Sequence, residues 1–371
     1  MKIGIDARLI RETGVGRYIR NLVGELATQD KTNEYVVFLR ASAYDSFSPP
    51  NARWSKALAE VPWHTFAEQL IMPWILFNAR LDLVHIPYFN IPIFYPGRMV
   101  ATIHDLTILH FDTGKATTLP LLFYKFRRLG YRIALELGLR RARAILAVSK
   151  TTKQEVVDHF GIDPMKIIVA YEGVDEKVKS QKSKVKSQKP LIENPYFLYV
   201  GNAYPHKSLE TLLRAFNKFL QVPTSSNQVR LVLVGKDDFF YRRIMEYVHN
   251  LNLDDNVIFF GQADDRQLAN LYAHAIALVF PSLMEGFGLP ALEALALGCP
   301  VIVSDIPVFH EILGDQATYF HPSDFKELAQ KLSAAVAKRS AINQDKVSRL
   351  LTRYSWSTLS SETLRVYVNI C

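Results

Sequence analysis

Glu285 and Glu293 bracket a glycine loop in Pro281-Ser282-Leu283-Met284-Glu285-Gly286-Phe287-Gly288-Leu289-Pro290-Ala291-Leu292-Glu293. The apolar run Ala275 to Phe280 before it reads as a buried strand, and Ala291–Leu297 after it reads as a helix, with Pro290 suited to the first turn. Free backbone N–H groups and the helix dipole converge at such a strand–loop–helix junction and favour an anion there. Two carboxylates beside a phosphate would repel it, but they suit hydroxyls, which donate hydrogen bonds to charged acceptors. Phosphate and hydroxyls together describe a nucleotide sugar. Taken alone, the loop also reads as a plain helix start with two solvated glutamates.

Three further segments place chemistry-bearing residues after a strand. Tyr199-Val200-Gly201-Asn202-Ala203-Tyr204-Pro205-His206-Lys207-Ser208 sets Lys207 at the start of a helix. A cation there opposes the helix dipole unless an anion lies between them, which makes Lys207 a phosphate candidate. Near the N-terminus, Gly14 and Gly16 in Glu12-Thr13-Gly14-Val15-Gly16-Arg17 stand where a backbone can approach a phosphate or sugar. This GxG lacks the third glycine of the dinucleotide fingerprint. His104-Asp105 follows the strand Met99–Ile103, where the histidine can meet a substrate hydroxyl or leaving group and Asp105 can orient it. His85, inside a neighbouring strand, reads as structural. The acid pairs Asp237-Asp238 and Asp264-Asp265 read as helix starts rather than as a metal cluster.

The elements that must hold these residues alternate along the chain. Strands are predicted at 2–5, 35–39, 83–86, 99–103, 144–148 and 167–170, with helices at 16–27, 120–139 and 150–160. A second alternation has strands at 196–200, 230–234, 257–260, 277–280 and 301–303 and helices at 208–220, 239–251, 264–273, 291–297, 325–338 and 357–370. Short apolar strands alternating with helices imply parallel sheets covered on both faces, with ligands beyond the carboxyl ends of the strands. The expected architecture is α/β: a domain at 1–173, a linker at 174–194, and a domain at 195–356 followed by a terminal helix. Within the linker, Lys177–Ser183 and Lys184–Pro190 form a tandem lysine repeat read as a flexible, solvated insertion.

Composition sets the outer limits. The chain has 371 residues, is 49% hydrophobic and 22% charged, and carries a net charge of +8, as globular proteins of two domains do. No apolar run approaches the roughly 20 residues of a membrane span. The first residues read as a strand rather than a signal peptide, so the cytosol is expected. Two cysteines, Cys299 and Cys371, allow neither a disulfide framework nor a zinc site. Residues 1–173 hold 22 Lys and Arg against 16 Asp and Glu, and residues 191–371 hold 16 against 18, so the basic character lies in the first half and the linker. Such a half suits a phosphorylated substrate or an anionic membrane; no nucleic-acid module is present. The stretch 119–143, basic and apolar, is a candidate interfacial helix on an anionic leaflet.

In order, the glycine loop, His104-Asp105, Ser149-Lys150, Tyr171-to-Asp175, Pro205-His206-Lys207 and Glu285-to-Glu293 resemble the retaining glycosyltransferases of family 4, which have the GT-B fold. The resemblance covers the chain apart from the lysine repeat. It implies two doubly wound Rossmann-like domains with an interdomain cleft, a last helix (357–371) that returns to pack on the N-terminal domain, and transfer of a hexose from a nucleotide diphosphate sugar with retention. Residue by residue, it implies that Glu293 accepts from ribose hydroxyls and Glu285 from the donor sugar. The backbone N–H groups of Gly286, Phe287, Gly288 and Leu289 assist, and Lys207 neutralises the diphosphate. Gly14 and Gly16 close on the donor, and His104 contacts its sugar. Asn202 stands where many relatives carry a phosphate-binding arginine, so His206 or a neighbouring arginine substitutes, or one cation fewer is used.

The Pro-His-Lys variant resembles the mannosyltransferase-like group, which ranks GDP-mannose first as donor and a UDP-hexose second. The acceptor is expected to be a saccharide or a lipid-linked saccharide of a cell-surface polysaccharide, met at the inner face of the membrane. No metal or other cofactor is expected. The rival readings are a GT-B nucleotide-sugar 2-epimerase and a non-catalytic nucleotide-sugar binder.

Overall fold

Runs of Val, Ile, Leu and Phe become strands that hydrogen-bond only to parallel neighbours and gather in two sheets. A computed structural model describes residues 1–62, 65–111, 121–174, 178, 185, 187–222, 228–338 and 342–371. The chain divides into unit 1, Met1–Leu109, Thr118–Gly173 and Ser355–Cys371, and unit 2, His110–Thr117 and Val174–Tyr354.

The first sheet holds β1 (Lys2–Asp6), β2 (Glu34–Leu39), β3 (Trp54–Leu58), β4 (Leu83–Ile86), β5 (Met99–Ile103), β6 (Ala144–Ala147) and β7 (Ile167–Val169) in the order β3-β2-β1-β4-β5-β6-β7. Its helices are α1 (Gly14–Gln29), α2 (Ala41–Tyr44), α3 (Phe66–Asn78), α4 (Thr107–His110), α5 (Leu121–Arg141) and α6 (Lys150–Phe160). The strand order reverses direction at β1 and β4, and a crevice opens at such a switch point. The C-terminal helix, Trp356–Ile370, packs on α1. Ser361 Oγ donates to Gln29 Oε1 at 2.9 Å, and Gln29 Nε2 donates to the Ser357 carbonyl at 3.1 Å. Tyr367 of this helix reaches His85 Nδ1 at 2.6 Å, while Thr102 Oγ1 lies 2.7 Å from Nε2. Burial, and then the nearby His104, push the His85 pKa down to about 3. His85 is therefore a satisfied core residue tying strands β4 and β5 to the last helix.

The second sheet runs β10-β9-β8-β11-β12-β13, built from β8 (Tyr196–Val200), β9 (Arg230–Val234), β10 (Val257–Gly261), β11 (Ala277–Phe280), β12 (Val301–Ser304) and β13 (Thr318–Phe320). Its helices are α7 (Leu209–Leu220), α8 (Phe239–Asn250), α9 (Asp265–His274), α10 (Leu289–Leu297), α11 (Pro307–Leu313), α12 (Phe325–Ala337) and α13 (Gln344–Leu351). Both acid pairs start helices. Asp238 caps α8 by accepting from Phe240 and Tyr241 N–H, and Asp264 closes a capping box with Gln267. The switch point here lies between β8 and β11.

Two departures from the sequence reading matter. Strand β3 and helix α3 went unpredicted, and α3 carries Pro73 in its interior. The segment is helical because Thr65 caps it through Glu68 N–H and because Met72 and Leu76 are fully buried, which outweighs the bond that proline removes. The lysine repeat is not wholly solvated: Val178 and Val185, one in each copy and seven residues apart, are helical and buried. Residues 175–177, 179–184 and 186 lie outside the described residues.

Candidate functional site

In unit 2 the loops after β8 and β11 meet at the switch point. Pro205–Lys207 forms a single tight turn, and Ser208 takes a left-handed φ of 53° before α7 begins. The turn carries Lys207 to Glu285, with Nζ donating to Oε1 at 2.5 Å. Both side chains are nearly buried, at 13% and 10% exposed. Lys207 is thus not a cation stranded against a helix dipole: Glu285 is the counter-charge, and the Phe280 ring lies 5.5 Å from Nζ. Ser282 Oγ donates to the same Glu285 oxygen at 2.7 Å. Sequence reasoning missed Ser282, although its placement three residues before the glutamate was the available signal.

Gly288 begins α10 at φ 91°, and a Cβ there would lie 2.7 Å from Phe309 Cε1, so only glycine fits. No described side chain caps this helix start. Pro290 has no N–H and Ala291 N–H donates to the Gly288 carbonyl at 3.0 Å, so Leu289 N–H is the backbone donor that this helix start can offer an anion. Gly286 in the loop and Leu289 at the start of α10 are buried, and the Phe287 ring packs edge-on against Tyr354 at 5.6 Å. Glu293 sits inside α10, only 3% exposed, and accepts from Tyr272 Oη at 3.4 Å. Asn202 lies beside the same turn: its carbonyl accepts from Tyr199 Oη at 2.6 Å and its Oδ1 from Tyr204 N–H. His206 is buried, its ring 5.7 Å from that of Phe111.

In unit 1, Gly14 and Gly16 open α1 but differ in kind. A Cβ at Gly16 would lie 2.7 Å from the Ile10 carbonyl and 2.8 Å from that of Leu9, so its glycine is a packing requirement. A Cβ at Gly14 meets no described atom within 4 Å, which leaves its backbone open to a ligand.

His104 follows β5 as expected, yet Asp105 does not orient it. Asp105 Oδ1 accepts from Thr107 N–H at 2.8 Å and starts α4. The orienting carboxylate is Glu172, 3.0 Å from His104 Nδ1, and the Pro87 carbonyl lies 3.1 Å from Nε2. Both partners present acceptor oxygens, so each ring nitrogen is placed to donate. Tyr18 meets the ring edge-on with centroids 4.8 Å apart. Glu172 lies inside the Tyr171-to-Asp175 motif but 68 positions from His104, so spacing alone did not pair the two.

The switch point of unit 1 holds a second cluster that the sequence did not reveal. A small crevice between β1 and β4 is lined by Asp6, Arg8, Leu9, Pro87, Tyr88 and Asn90. Buried Arg8 binds Asp6 through Nε at 2.9 Å and a terminal nitrogen at 2.7 Å, and that nitrogen also reaches Glu68 Oε1 at 2.7 Å. Burial opposes the Arg8 charge, but Asp6 and Glu68 more than offset it and raise its pKa. Asn90 Nδ2 donates to the other Glu68 oxygen at 3.2 Å. Two carboxylates around one guanidinium leave an acidic excess suited to hydroxyl donors.

Two Rossmann-like units with loop-borne chemistry at their strand ends define the GT-B class of transferases, and comparison with known proteins bears this out. The family model for glycosyl transferases group 1 matches residues 180–348, and that for glycosyltransferase family 4 matches residues 13–178. The chain is 30% identical over 277 residues to the O-antigen chain mannosyltransferase RfbU of Salmonella typhimurium, covering 74% of this chain and 71% of that one. It is 27% identical to O-antigen chain mannosyltransferase B of Escherichia coli over 96% of both chains. In fold it is similar to sucrose-phosphate synthase from Thermosynechococcus elongatus, with a TM-score of 0.79, 20% identity and coverage of 100% of this chain and 99% of that one. It is likewise similar to HepE of Anabaena, solved with UDP-glucose, with a TM-score of 0.76, 18% identity and complete coverage of both. The chain belongs to the group 1 and family 4 glycosyltransferases and is a glycosyltransferase.

Proposed function

We propose that the chain transfers mannose, with retention, from GDP-mannose to a saccharide or lipid-linked saccharide during synthesis of a cell-surface polysaccharide at the inner face of the membrane. The observation that carries this reading is the Lys207–Glu285 pair beside the uncapped start of α10. The pair offers one cation to a diphosphate and one carboxylate to sugar hydroxyls. On donor binding, Lys207 turns toward the diphosphate and stabilises the leaving-group charge, while Glu285, held by Ser282, accepts from the hexose. The N–H groups of Gly286, Phe287, Gly288 and Leu289 add to the phosphate site, and Glu293 accepts from the ribose. Asn202 and His206 flank the phosphates. Of unit 1, Gly14 and Gly16 serve donor handling, His104 meets the donor sugar, and the Asp6–Arg8–Glu68 crevice receives acceptor hydroxyls. The bond from the anomeric carbon to phosphate breaks as the bond to the acceptor oxygen forms on the same face, and the departing phosphate takes the acceptor proton. The mannosyltransferase relatives support the choice of sugar.

No divalent metal takes part. Turnover is therefore unchanged by a chelator; loss with a chelator and recovery with Mn²⁺ would refute this. A thermal-shift panel of nucleotides and nucleotide sugars tests the donor: GDP-mannose should raise the midpoint selectively. Selective stabilisation by a UDP-hexose would replace it. Donor turnover without acceptor, giving an epimerised sugar, would replace transfer itself.

A further inference from the structure

Helix α3 is apolar on both sides. Met72 and Leu76 face the core, fully buried, while Leu70 and Trp74 are 67% exposed, Phe77 is 64% exposed and Ile71 is also open to solvent. From Gln69 to Ala79 the sequence contains no charged residue. A helix that is hydrophobic all round belongs in a core or against an apolar partner, and this one has half its surface in water.

The exposed face continues across unit 1. Gln69 of α3 donates to the Ile91 carbonyl and accepts from Ile93 N–H, so the segment after β4 lies along the helix. Its Phe94 is 61% exposed. On the other side of this segment runs α5, where a Cβ on Gly138 would lie 2.6 Å from Ile91 Cβ and where Arg141 donates to the Tyr95 carbonyl at 2.6 Å. Leu129, Ile133 and Leu137, spaced four apart along α5, are about half exposed. Residues 121–143 bring seven Lys and Arg against one acid, Glu136, and Arg140 pairs with that acid at 3.0 Å.

We propose that this face, centred on Trp74 and Phe77 of α3 with α5 beside it, docks on an anionic lipid bilayer. It deepens the reading of a lipid-linked acceptor and rests on that reading for the choice of a bilayer. The chemistry decides among occupants. A second copy of the chain would set the basic stretch against itself in a two-fold contact, which like charges oppose. A bilayer offers both halves at once: acyl chains for Leu70, Trp74 and Phe77, and headgroup phosphates for the arginines. Tryptophan suits the boundary, with an apolar ring and one donor. The sequence reading gave this role to 119–143 alone; the structure assigns the apolar anchor to α3.

The test is co-sedimentation of the full chain with vesicles of phosphatidylcholine and phosphatidylglycerol in equal parts, and with phosphatidylcholine alone, in the absence of donor and acceptor. Wild type should bind the mixed vesicles at low salt, bind the neutral ones at least about tenfold less, and come off as salt rises. Trp74→Glu with Phe77→Glu should cut binding by about tenfold or more with an unchanged melting temperature, since both side chains already face water. Should that pair fail to fold, Arg132→Gln provides the second reading by weakening binding to the anionic vesicles alone. Wild type that does not bind, or variants that bind as wild type does, overturn the proposal. So does a lipid-free dimer that the Trp74 and Phe77 changes dissociate, which would make a second copy the occupant. None of these outcomes touches the transferase reading, because vesicle binding is scored without turnover.

Discussion

The two sheets share one strand order around their switch points, yet the crevices there have opposite characters. In unit 2, between β8 and β11, one lysine and one glutamate pair beside a helix start that no described side chain caps. In unit 1, between β1 and β4, Arg8 already serves Asp6 and Glu68, so the excess there is acidic. The first arrangement can release a cation to an anion; the second cannot and is left with acceptors for hydroxyls. Topology sets where a ligand binds, and the local charge count sets which kind.

The largest effect should break the unit 2 side. Glu285→Gln keeps the shape but removes the charge that holds Lys207 and the acceptor for sugar hydroxyls, so transfer should fall on the order of 1000-fold. Steady-state assays check this, and a rate within about threefold of wild type would remove Glu285 from the machinery. Asp6→Asn acts on unit 1. It breaks a buried bidentate pair and should cost about 3 kcal/mol, with Glu68 retaining part of the Arg8 charge balance. Denaturant unfolding measures that loss. Residual activity should show a raised acceptor KM at unchanged donor KM; a donor defect instead would erase the distinction between the two crevices.

The glycines sharpen it further. Gly16→Ala should destabilise by about 1–3 kcal/mol, because its Cβ meets two carbonyls. Gly14→Ala should leave stability within about 0.5 kcal/mol and lower activity only if a ligand approaches there. A last lever on unit 1 is pH. The ordinary pKa of His85 is 6.5 and its folded value is about 3, so the unfolded chain takes up a proton that the fold refuses. Stability from this residue is present above pH 6.5 and is lost as pH falls, by about 1.4 kcal/mol per unit down toward pH 3. Hydrogen exchange near pH 5.5 should loosen the protected amides of unit 1 before those of unit 2.

Most of the fold was legible because parallel strands buried on both faces read as unbroken apolar runs, as in Leu231–Val234 and Ala277–Phe280. What escaped has physical reasons. β3 is an edge strand whose Lys56 and Ser55 break the apolar pattern, and Pro73 hid α3. At the sites, Glu285 and Lys207 were legible because loop and helix start lie within a few residues of each. Their mutual pairing, 78 positions apart, was not. Glu172 with His104, and Arg8 with Glu68, escaped for the same reason: neither partner makes a local pattern, and only the sheet brings them together.

Helix Trp356–Ile370 completes a unit whose other parts end at Gly173. A Cβ on Gly173 would lie 2.8 Å from Ser355 Cα, so the chain leaves and re-enters unit 1 at neighbouring points. During synthesis the early residues must then wait while about 180 others are made, roughly 10–40 s at ribosomal speeds, before Tyr367 can close over His85. For that interval unit 1 waits on the ribosome without its final helix, and the apolar surface of α1 is open to chaperones.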